Sequence, residues 1–222
     1  MNAENSLQAV LIDLDGTIVD SLPGIFEIYL DFLKGYGHQG TKEQFAALNG
    51  PSLQEVMVFL KEHFGIDVTV DLLVEEYRNQ TAKVYQQASL FPGVVEFLEF
   101  AQKKGLKLAL VTAAPRPSVN SFFAKHHLEK YFSLVVTGDE VEKAKPDPSI
   151  YLKALDLLQL SPNSVLTLED SSNGVKASLG ANIPTFLITH GKAGAEKPTD
   201  KVTQVKGWKE LSCIVEERLS YD

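Results

Sequence analysis

Two aspartates separated by a single residue, Asp13 and Asp15, lie directly before Gly16. They come at the end of a short apolar run, residues 8–13, that is typical of a buried parallel strand. In an extended chain, side chains two residues apart face the same way, and a turn beginning at Gly16 would let the two carboxylates diverge around a common ligand. An acidic pair after a strand is more often an ordinary turn, so this pair needs support from elsewhere in the chain.

Three further groups of polar residues follow apolar runs or lie in a loop before a predicted helix. They are Thr112 with Ala113, Lys145 in the segment 145–148 (KPDP), and Glu169 with Asp170. The adjacent carboxylates Glu169 and Asp170 would repel each other in an apolar framework unless a cation offset them. Thr112 offers a hydroxyl group, and the loop after it offers main-chain N–H groups. None of the three groups is specific alone.

Strands and helices alternate along much of the chain. Five apolar runs predict strands, at residues 8–13, 107–112, 134–137, 165–169 and 184–188, with helical periodicity between them. This alternation predicts an α/β fold with a Rossmann-like, doubly wound, mostly parallel sheet. Sites in such sheets form beyond the carboxyl ends of the strands. All four polar groups fall there, so one site would collect them.

The alternation stops between the first and second predicted strands. Residues 20–90 show helical periodicity throughout, and capping-box patterns begin at Thr41 and Ser52. This stretch is far longer than a single crossover helix requires. The sequence therefore predicts an inserted all-helical cap domain at residues 20–90, joined to an α/β core formed by residues 1–19 and 91–222.

The four polar groups, in this order, resemble the haloacid-dehalogenase-like hydrolase superfamily, in the branch of phosphoglycolate phosphatase and beta-phosphoglucomutase with a helical cap. The first motif, residues 13–17 (DLDGT), is highly specific. Residues 91–94 (FPGV) look like the family's return from cap to core. The resemblance extends over nearly the whole chain.

The resemblance implies a catalytic role for each polar residue. Asp13 would be the nucleophile that forms an aspartyl phosphate, and Asp15 would protonate the leaving alcohol and then activate water. Lys145 would neutralise charge on Asp13 and on the phosphoryl group, and Thr112 would donate a hydrogen bond to the phosphoryl oxygens. The substrate-binding groups would be Gly16, Thr112, Ala113 and Lys145.

The same resemblance implies a Mg²⁺ cofactor held by oxygen ligands. The carboxylates of Asp13 and Asp170 would be ligands, together with the main-chain carbonyl of Asp15. Glu169 would bind the metal directly or support a residue that does.

The reaction implied is hydrolysis of a small phosphate monoester, with phosphoglycolate, a sugar phosphate and a nucleotide all open as substrates. A phosphomutase resembling beta-phosphoglucomutase is the alternative, although such mutases usually have valine at the position of Thr17 and a histidine near Ile25. A non-catalytic phosphate-binding protein on the same fold is a further alternative. The filled catalytic positions favour the phosphatase.

Composition narrows the range of partners. The formal net charge of −8 over 222 residues argues against a nucleic-acid partner, which would require a basic face. No apolar run has the length of a membrane-spanning helix, and the single cysteine, Cys213, excludes an intrachain disulfide. We therefore expect a cytoplasmic protein that binds a small phosphorylated metabolite and no membrane. The sequence does not indicate an oligomeric state.

Overall fold

A single parallel sheet forms the centre of the molecule. The computed structural model describes residues 6–191, 199 and 201–221, and for Tyr221 the main chain alone. Across these residues the strands are β1 (Ala9–Ile12), β2 (Lys107–Thr112), β3 (Leu134–Thr137), β4 (Val165–Glu169), β5 (Thr185–Ile188) and β6 (Val202–Val205). Their order is β3-β2-β1-β4-β5-β6, and every neighbouring pair is parallel.

Helices join the strands and cover both faces of the sheet. In the described part of the chain they are α1 (Leu22–Gly35), α2 (Lys42–Ala47), α3 (Leu53–Phe64), α4 (Val70–Gln87), α5 (Val94–Lys103), α6 (Arg116–His126), α7 (Ser149–Leu158), α8 (Ser172–Gly180) and α9 (Trp208–Tyr221), with single 3₁₀ turns at Glu129–Tyr131, Gly138–Glu140 and Pro162–Ser164. Side chains alternate across a strand, so Val10 packs with residues of α5, α6 and α9, and Leu11 packs with residues of α7 and α8 on the other face. The sheet is therefore buried on both sides, as expected for parallel strands.

Helices α1 to α4 form a separate layer between β1 and α5. They pack around an apolar cluster of their own, which includes Phe32, Met57 and Leu73. The capping boxes predicted at Thr41 and Ser52 are confirmed, because each side chain accepts a hydrogen bond from the third residue of its helix and receives the reciprocal bond. Residues 22–87, all of them described, contain no strand.

Two adjacent connecting segments link the helical layer to the sheet. The N–H of Asp20 donates to the carbonyl of Ser89 at 3.0 Å, and the N–H of Phe91 donates to the carbonyl of Ile18 at 3.0 Å. The outgoing and returning chains therefore lie side by side immediately next to the aspartate pair.

The structure confirms the predicted fold class, with corrections at the level of single elements. Strand β6 was not predicted, because only its end residues Val202 and Val205 are buried and the four-residue stretch shows no regular alternation. Strand β1 is shorter than the run from which it was predicted, since Asp13 already lies beyond its end. No helix in the described residues combines the length and the apolar character needed to cross a lipid bilayer.

Candidate active site

The candidate active site lies at the carboxyl end of the sheet, beside its central strands. Asp13 directly follows β1, Glu169 ends β4 with Asp170 after it, and Thr112 ends β2. The parallel registers of β1 with β2 and of β1 with β4 place these ends side by side. The polar side chains meet because of the topology, although the sequence separates them by up to about 150 residues.

Lys145 is the cation of this site, and only 2% of it is exposed. Its Nζ lies 2.6 Å from Asp13 Oδ1 and 2.6 Å from Glu169 Oε1, and it donates to the carbonyl of Val111 at 3.0 Å. Burial alone would lower the pKa of Lys145, but the charges of Asp13 and Glu169 raise it above its ordinary value. Lys145 is therefore a permanent positive charge that joins two carboxylates.

Glu169 is fully buried, and one of its two oxygens is already occupied. Its Oε1 accepts hydrogen bonds from Lys145 and from the hydroxyl of Tyr151 on α7. Its Oε2 has no hydrogen-bond partner among the described residues. Burial raises the pKa of Glu169 to about 7, although Lys145 acts in the opposite direction. One oxygen of Glu169 is thus committed to protein groups, and the other is available to a ligand.

Asp13, Glu169 and Asp170 form a cluster in which one carboxylate oxygen of each lies within 4.8 Å of the others. Oδ1 of Asp170 is buried without a hydrogen-bond partner in the described structure, like Oε2 of Glu169. Burial, together with the charges of Asp13 and Glu169, raises the pKa of Asp170 well above its ordinary range. Unpartnered buried oxygens and excess negative charge are what a bound cation would correct, so the donor set fits a hard divalent metal ion.

Gly16 shapes the turn that follows the two aspartates and approaches Asp170. Its φ is +78°, and a Cβ at this position would overlap the carboxylate of Asp170. Its N–H donates to the carbonyl of Val19 at 2.9 Å. Gly16 was predicted to be one of the substrate-binding groups, and that role stays a prediction. In the structure its N–H closes the turn, and the absence of a side chain leaves room for Asp170.

Asp15 lies on the side of the turn that faces the helical layer. Its Oδ1 accepts a hydrogen bond from the hydroxyl of Ser21, and its Oδ2 accepts one from Tyr85 on α4 at 2.9 Å. Burial raises the pKa of Asp15 to about 6, with a further increase from the charge of Asp13, while the bonds from Ser21 and Tyr85 act against it. A carboxyl group with such a pKa suits proton transfer near neutral pH.

Thr112 and Ala113 lie where the turn after β2 reaches the site. The N–H of Ala114 donates to Oγ1 of Thr112 at 3.0 Å, so the hydroxyl hydrogen of Thr112 remains to be donated. Thr112 is 1% exposed and Ala113 borders the cavity beside Asp15. Thr112 thus ends the strand next to β1, and Ala113 lines the same cavity as Asp15.

A cavity of about 120 Å³ opens from Asp15 into the helical layer. Its far wall consists of residues from α1, α3 and α4 and from the loop that contains Asn49 and Gly50. Two contacts dock that wall on the core: Asn173 donates to the carbonyl of Asn49 at 2.8 Å, and the N–H of Ala144 donates to Glu55 at 3.2 Å. The cavity therefore lies between the two layers, next to the carboxyl group suited to proton transfer.

Tyr85 and Tyr151 contact the site although the sequence did not predict it. Both come from helices, and their contacts depend on how those helices pack against the sheet. The spacing of Tyr77, Thr81 and Tyr85 by four residues, which aligns three hydroxyl groups on one face of α4, was the available signal for Tyr85. Tyr151 carried no such signal. Ser21, four residues after the first motif, had no predicted role.

Comparison with known proteins places the chain in a family. The model of the haloacid dehalogenase-like hydrolase family matches residues 10–188. A phosphorylated carbohydrates phosphatase of Thermotoga maritima is 34% identical over 178 residues, which are 80% of this chain and 82% of the relative. A phosphoglycolate phosphatase of Cupriavidus necator is 33% identical over 195 residues, covering 86% of this chain and 84% of the relative.

Solved structures share the same fold. Beta-phosphoglucomutase of Clostridium difficile has a TM-score of 0.83 to this chain at 20% identity, and the match covers 97% of this chain and 98% of that one. The family match spans the segments that contain the aspartate pair, Lys145 and the acidic pair at 169–170. The chain therefore belongs to the haloacid dehalogenase-like hydrolase family and is a phosphatase of that family.

Proposed function

We propose that this protein is a Mg²⁺-dependent phosphatase that hydrolyses a small phosphate monoester through an aspartyl phosphate on Asp13. The observation that carries the proposal is the separation of two carboxyl groups with different environments. Asp13 belongs to the cluster with Lys145, Glu169 and Asp170, whereas Asp15 is held by hydroxyl groups outside that cluster. These different environments support attack by one carboxylate and proton transfer by the other.

In the first step an oxygen of Asp13 attacks phosphorus, and the bond from phosphorus to the alcohol oxygen breaks. Asp15 gives its proton to the departing oxygen, so the alcohol leaves uncharged. Lys145 and the hydroxyl of Thr112 stabilise the negative charge on the transferred phosphoryl oxygens. The permanent charge of Lys145 is already positioned for this role by Asp13 and Glu169.

The metal would be held by the carboxylates of Asp13 and Asp170 and by the main-chain carbonyl of Asp15. Oε2 of Glu169 is the further oxygen available to it. When bound, Mg²⁺ would supply positive charge that reduces the repulsion between the attacking carboxylate and the phosphate.

In the second step water attacks phosphorus of the acyl phosphate. Asp15, now a carboxylate, accepts a proton from this water, and the bond between phosphorus and the Asp13 oxygen breaks. Phosphate leaves, and the original states of both aspartates are restored. The hydroxyl groups of Ser21 and Tyr85 keep the Asp15 carboxyl group in place between the two steps.

Small phosphorylated metabolites are the proposed substrates. The two relatives are named for phosphorylated carbohydrates and for phosphoglycolate. These names provide two classes of candidate: esters of uncharged, hydroxylated alcohols, and esters of an alcohol that carries a carboxylate.

Phosphate release from an aryl phosphate and from both metabolite classes tests the proposal. We expect turnover in Mg²⁺, loss of turnover in EDTA, and loss of at least about 1,000-fold in the variant Asp13→Asn. Asp20→Asn, which alters an exposed carboxylate seven residues along the chain, is the matched control and should remain active. Activity that survives Asp13→Asn, or that is absent from the wild type in Mg²⁺, would refute the proposal.

The phosphomutase alternative is tested with a hexose 1-phosphate and a bisphosphate primer. We expect phosphate release to exceed formation of the isomer. Isomer formation that outruns phosphate release would identify a mutase instead.

A further inference from the structure

The cavity beside Asp15 is the place where a leaving alcohol would lie, and its chemistry is distinctive. Most of its wall is apolar, formed by side chains such as Leu22, Ile25, Leu53 and Val56. None of the described residues that line it is Lys, Arg or His. The polar residues that line it, beside Asp15, carry hydroxyl groups or an amide: Tyr29, Tyr77, Thr81, Tyr85 and Asn49.

Lys145, whose Cβ is close to the lining residue Gly50, and Arg116, which follows the lining residue Pro115, are both engaged elsewhere. Lys145 is joined to Asp13 and Glu169, and Arg116 is paired with Glu140 and also donates to the carbonyl of Val135. Neither charge is therefore available to a second anionic group on the substrate.

Arg78 follows Tyr77 on α4 and is not among the residues that line the cavity. It borders a neighbouring cleft together with the acidic residues Glu55, Asp139 and Glu142, and its Nε is buried without a hydrogen-bond partner among the described residues. The positive charge of Arg78 therefore belongs to an acidic cleft outside the cavity.

We propose that this cavity selects phosphate esters of uncharged alcohols, hydroxylated or apolar, and discriminates against leaving groups that carry a carboxylate or a second phosphate. An anion transferred from water into a mostly apolar cavity without a cation loses its hydration and gains no compensating partner. The hydroxyls of Tyr29 and Thr81 and the amide of Asn49 can still bond the hydroxyl groups of a polyol or sugar. This inference rests on the proposed phosphatase activity and deepens it by naming the class of leaving group.

The docked position of the helical layer gives the cavity a defined wall. Gly50 has a φ of +124°, and a Cβ on it would lie 2.7 Å from Cβ of Asn173 and 3.3 Å from Cβ of Lys145. The main chain at Gly50 therefore lies so close to the core that a side chain there would not fit. The side-chain amide of Asn173 also donates to the main-chain carbonyls of residues 47 and 49. The wall would therefore discriminate against a negatively charged leaving group while the substrate is in its reacting position.

Pairs of esters matched in size but not in charge test the inference. We expect kcat/KM for 4-isopropylphenyl phosphate to exceed that for 4-carboxyphenyl phosphate, which has a substituent of similar size, by at least about tenfold. The kcat/KM for ethylene glycol monophosphate should exceed that for phosphoglycolate by a similar factor. The carboxyphenolate is the slightly better leaving group, so intrinsic reactivity favours the opposite order and cannot produce the expected one.

A positive charge introduced into the cavity wall should weaken this preference. Leu48 lines the cavity and is half-buried at the end of α2, where a lysine stem can follow the apolar surface and place its ammonium group in the cavity. Leu48→Lys should reduce the preference for the uncharged ester by about tenfold or more. Leu48→Met, of similar length and without charge, should keep the wild-type order.

The outcomes separate the inference from the proposed function. Equal or faster hydrolysis of the carboxylated member in both wild-type pairs would overturn the inference and leave the phosphatase intact. Absence of phosphate release from every ester in Mg²⁺ would overturn both. The wild-type comparison is decisive without the variants, so failure of Leu48→Lys to fold would not rescue the inference from a contrary result.

Discussion

At the scale of single residues, the site is built on an excess of buried negative charge. Asp13, Glu169 and Asp170 are clustered, and Lys145 is the cation that the described residues place among them. Removing one partner of a buried ion pair leaves the other charges uncompensated, which costs far more than the pair itself contributes. Lys145 is therefore expected to matter for both stability and chemistry.

Replacement of Lys145 by methionine tests this double role. We expect kcat/KM to fall at least about 100-fold, because the phosphoryl oxygens lose their cation. The free energy of unfolding should fall by about 3–5 kcal/mol, because two carboxylates lose a buried partner. Phosphate-release kinetics and urea unfolding measure the two effects. Lys143→Met, at an exposed lysine two residues earlier, should change neither, and an active, stable Lys145→Met would contradict the account.

Tyr85 is expected to act as a positioning residue, since it touches Asp15 and not the reacting phosphate. Tyr85→Phe removes the hydrogen bond to Oδ2 of Asp15 and keeps the ring in its apolar surroundings. We predict a fall of about tenfold in kcat for alkyl phosphates, with little change in KM. The fall should be smaller for 4-nitrophenyl phosphate, whose leaving group has little need of an acid.

The hydroxyl of Tyr36 provides the control for this experiment. It bonds to Glu76 on the exposed surface of the helical layer, so Tyr36→Phe should leave kcat unchanged. An equal loss of kcat for alkyl and aryl esters in Tyr85→Phe would contradict a role that acts through Asp15.

At the scale of elements, the carboxyl ends of β1 and β4 supply the groups that would hold the metal, and the turn at Gly16 decides whether they can approach each other. A glycine is required there for two separate reasons, its positive φ and the proximity of Asp170. These two reasons can be separated experimentally, because Gly37 has a similar φ of +81° and would place a Cβ in open space.

Gly16→Ala should damage the site in addition to straining the backbone. We expect Gly37→Ala to cost about 1 kcal/mol of unfolding free energy with activity intact. Gly16→Ala should cost more and should lower kcat/KM at least about 100-fold, because the carboxylate of Asp170 must move. Urea unfolding measures the loss of stability of the two variants, and phosphate release measures their kcat/KM. Equal behaviour of the two variants would show that Gly16 serves the backbone alone.

Metal binding between the ends of β1 and β4 should stabilise the fold. A ligand that binds the native state alone raises the Tm, and millimolar Mg²⁺ should raise it by a few degrees relative to EDTA. Asp170→Asn should abolish most of this increase, whereas Asp156→Asn, at an exposed position on α7, should preserve it. A Tm that is independent of Mg²⁺ in the wild type would argue against a metal site in this cluster.

At the scale of the whole molecule, the sequence predicted the class of fold and the residues at the strand ends, because both follow from local patterns. Apolar runs mark parallel strands, and parallel strands bring their carboxyl ends to one edge, so Asp13, Thr112 and Asp170 could be grouped without coordinates. Contacts made by helices could not be predicted in this way. Tyr85 and Tyr151 reach the site through packing angles that depend on the shapes of many side chains at once.

The sequence also left the role of Glu169 open between metal ligand and supporting group. A sequence pattern could not decide between these roles, because the two carboxylate oxygens of Glu169 have different surroundings. Lys145 and Tyr151 bind one oxygen, and the other has no hydrogen-bond partner in the described structure. The hydrogen bond of the Gly16 N–H is a second detail that the motif left open. Its partner, the carbonyl of Val19, is set by a turn whose path the motif alone does not specify.

The central claim is that a phosphoryl group becomes bonded to Asp13 during turnover. The variant Asp15→Asn, mixed with 4-nitrophenyl phosphate and quenched in acid, should accumulate a phosphorylated protein, since the leaving group departs without an acid while hydrolysis of the acyl phosphate is slowed. We predict that peptide mass spectrometry finds the phosphoryl group on Asp13, that hydroxylamine removes it, and that Asp13→Asn in the same background lacks it. Continued release of 4-nitrophenol with no phosphorylated protein at any time, or with the phosphoryl group on another residue, would contradict the account.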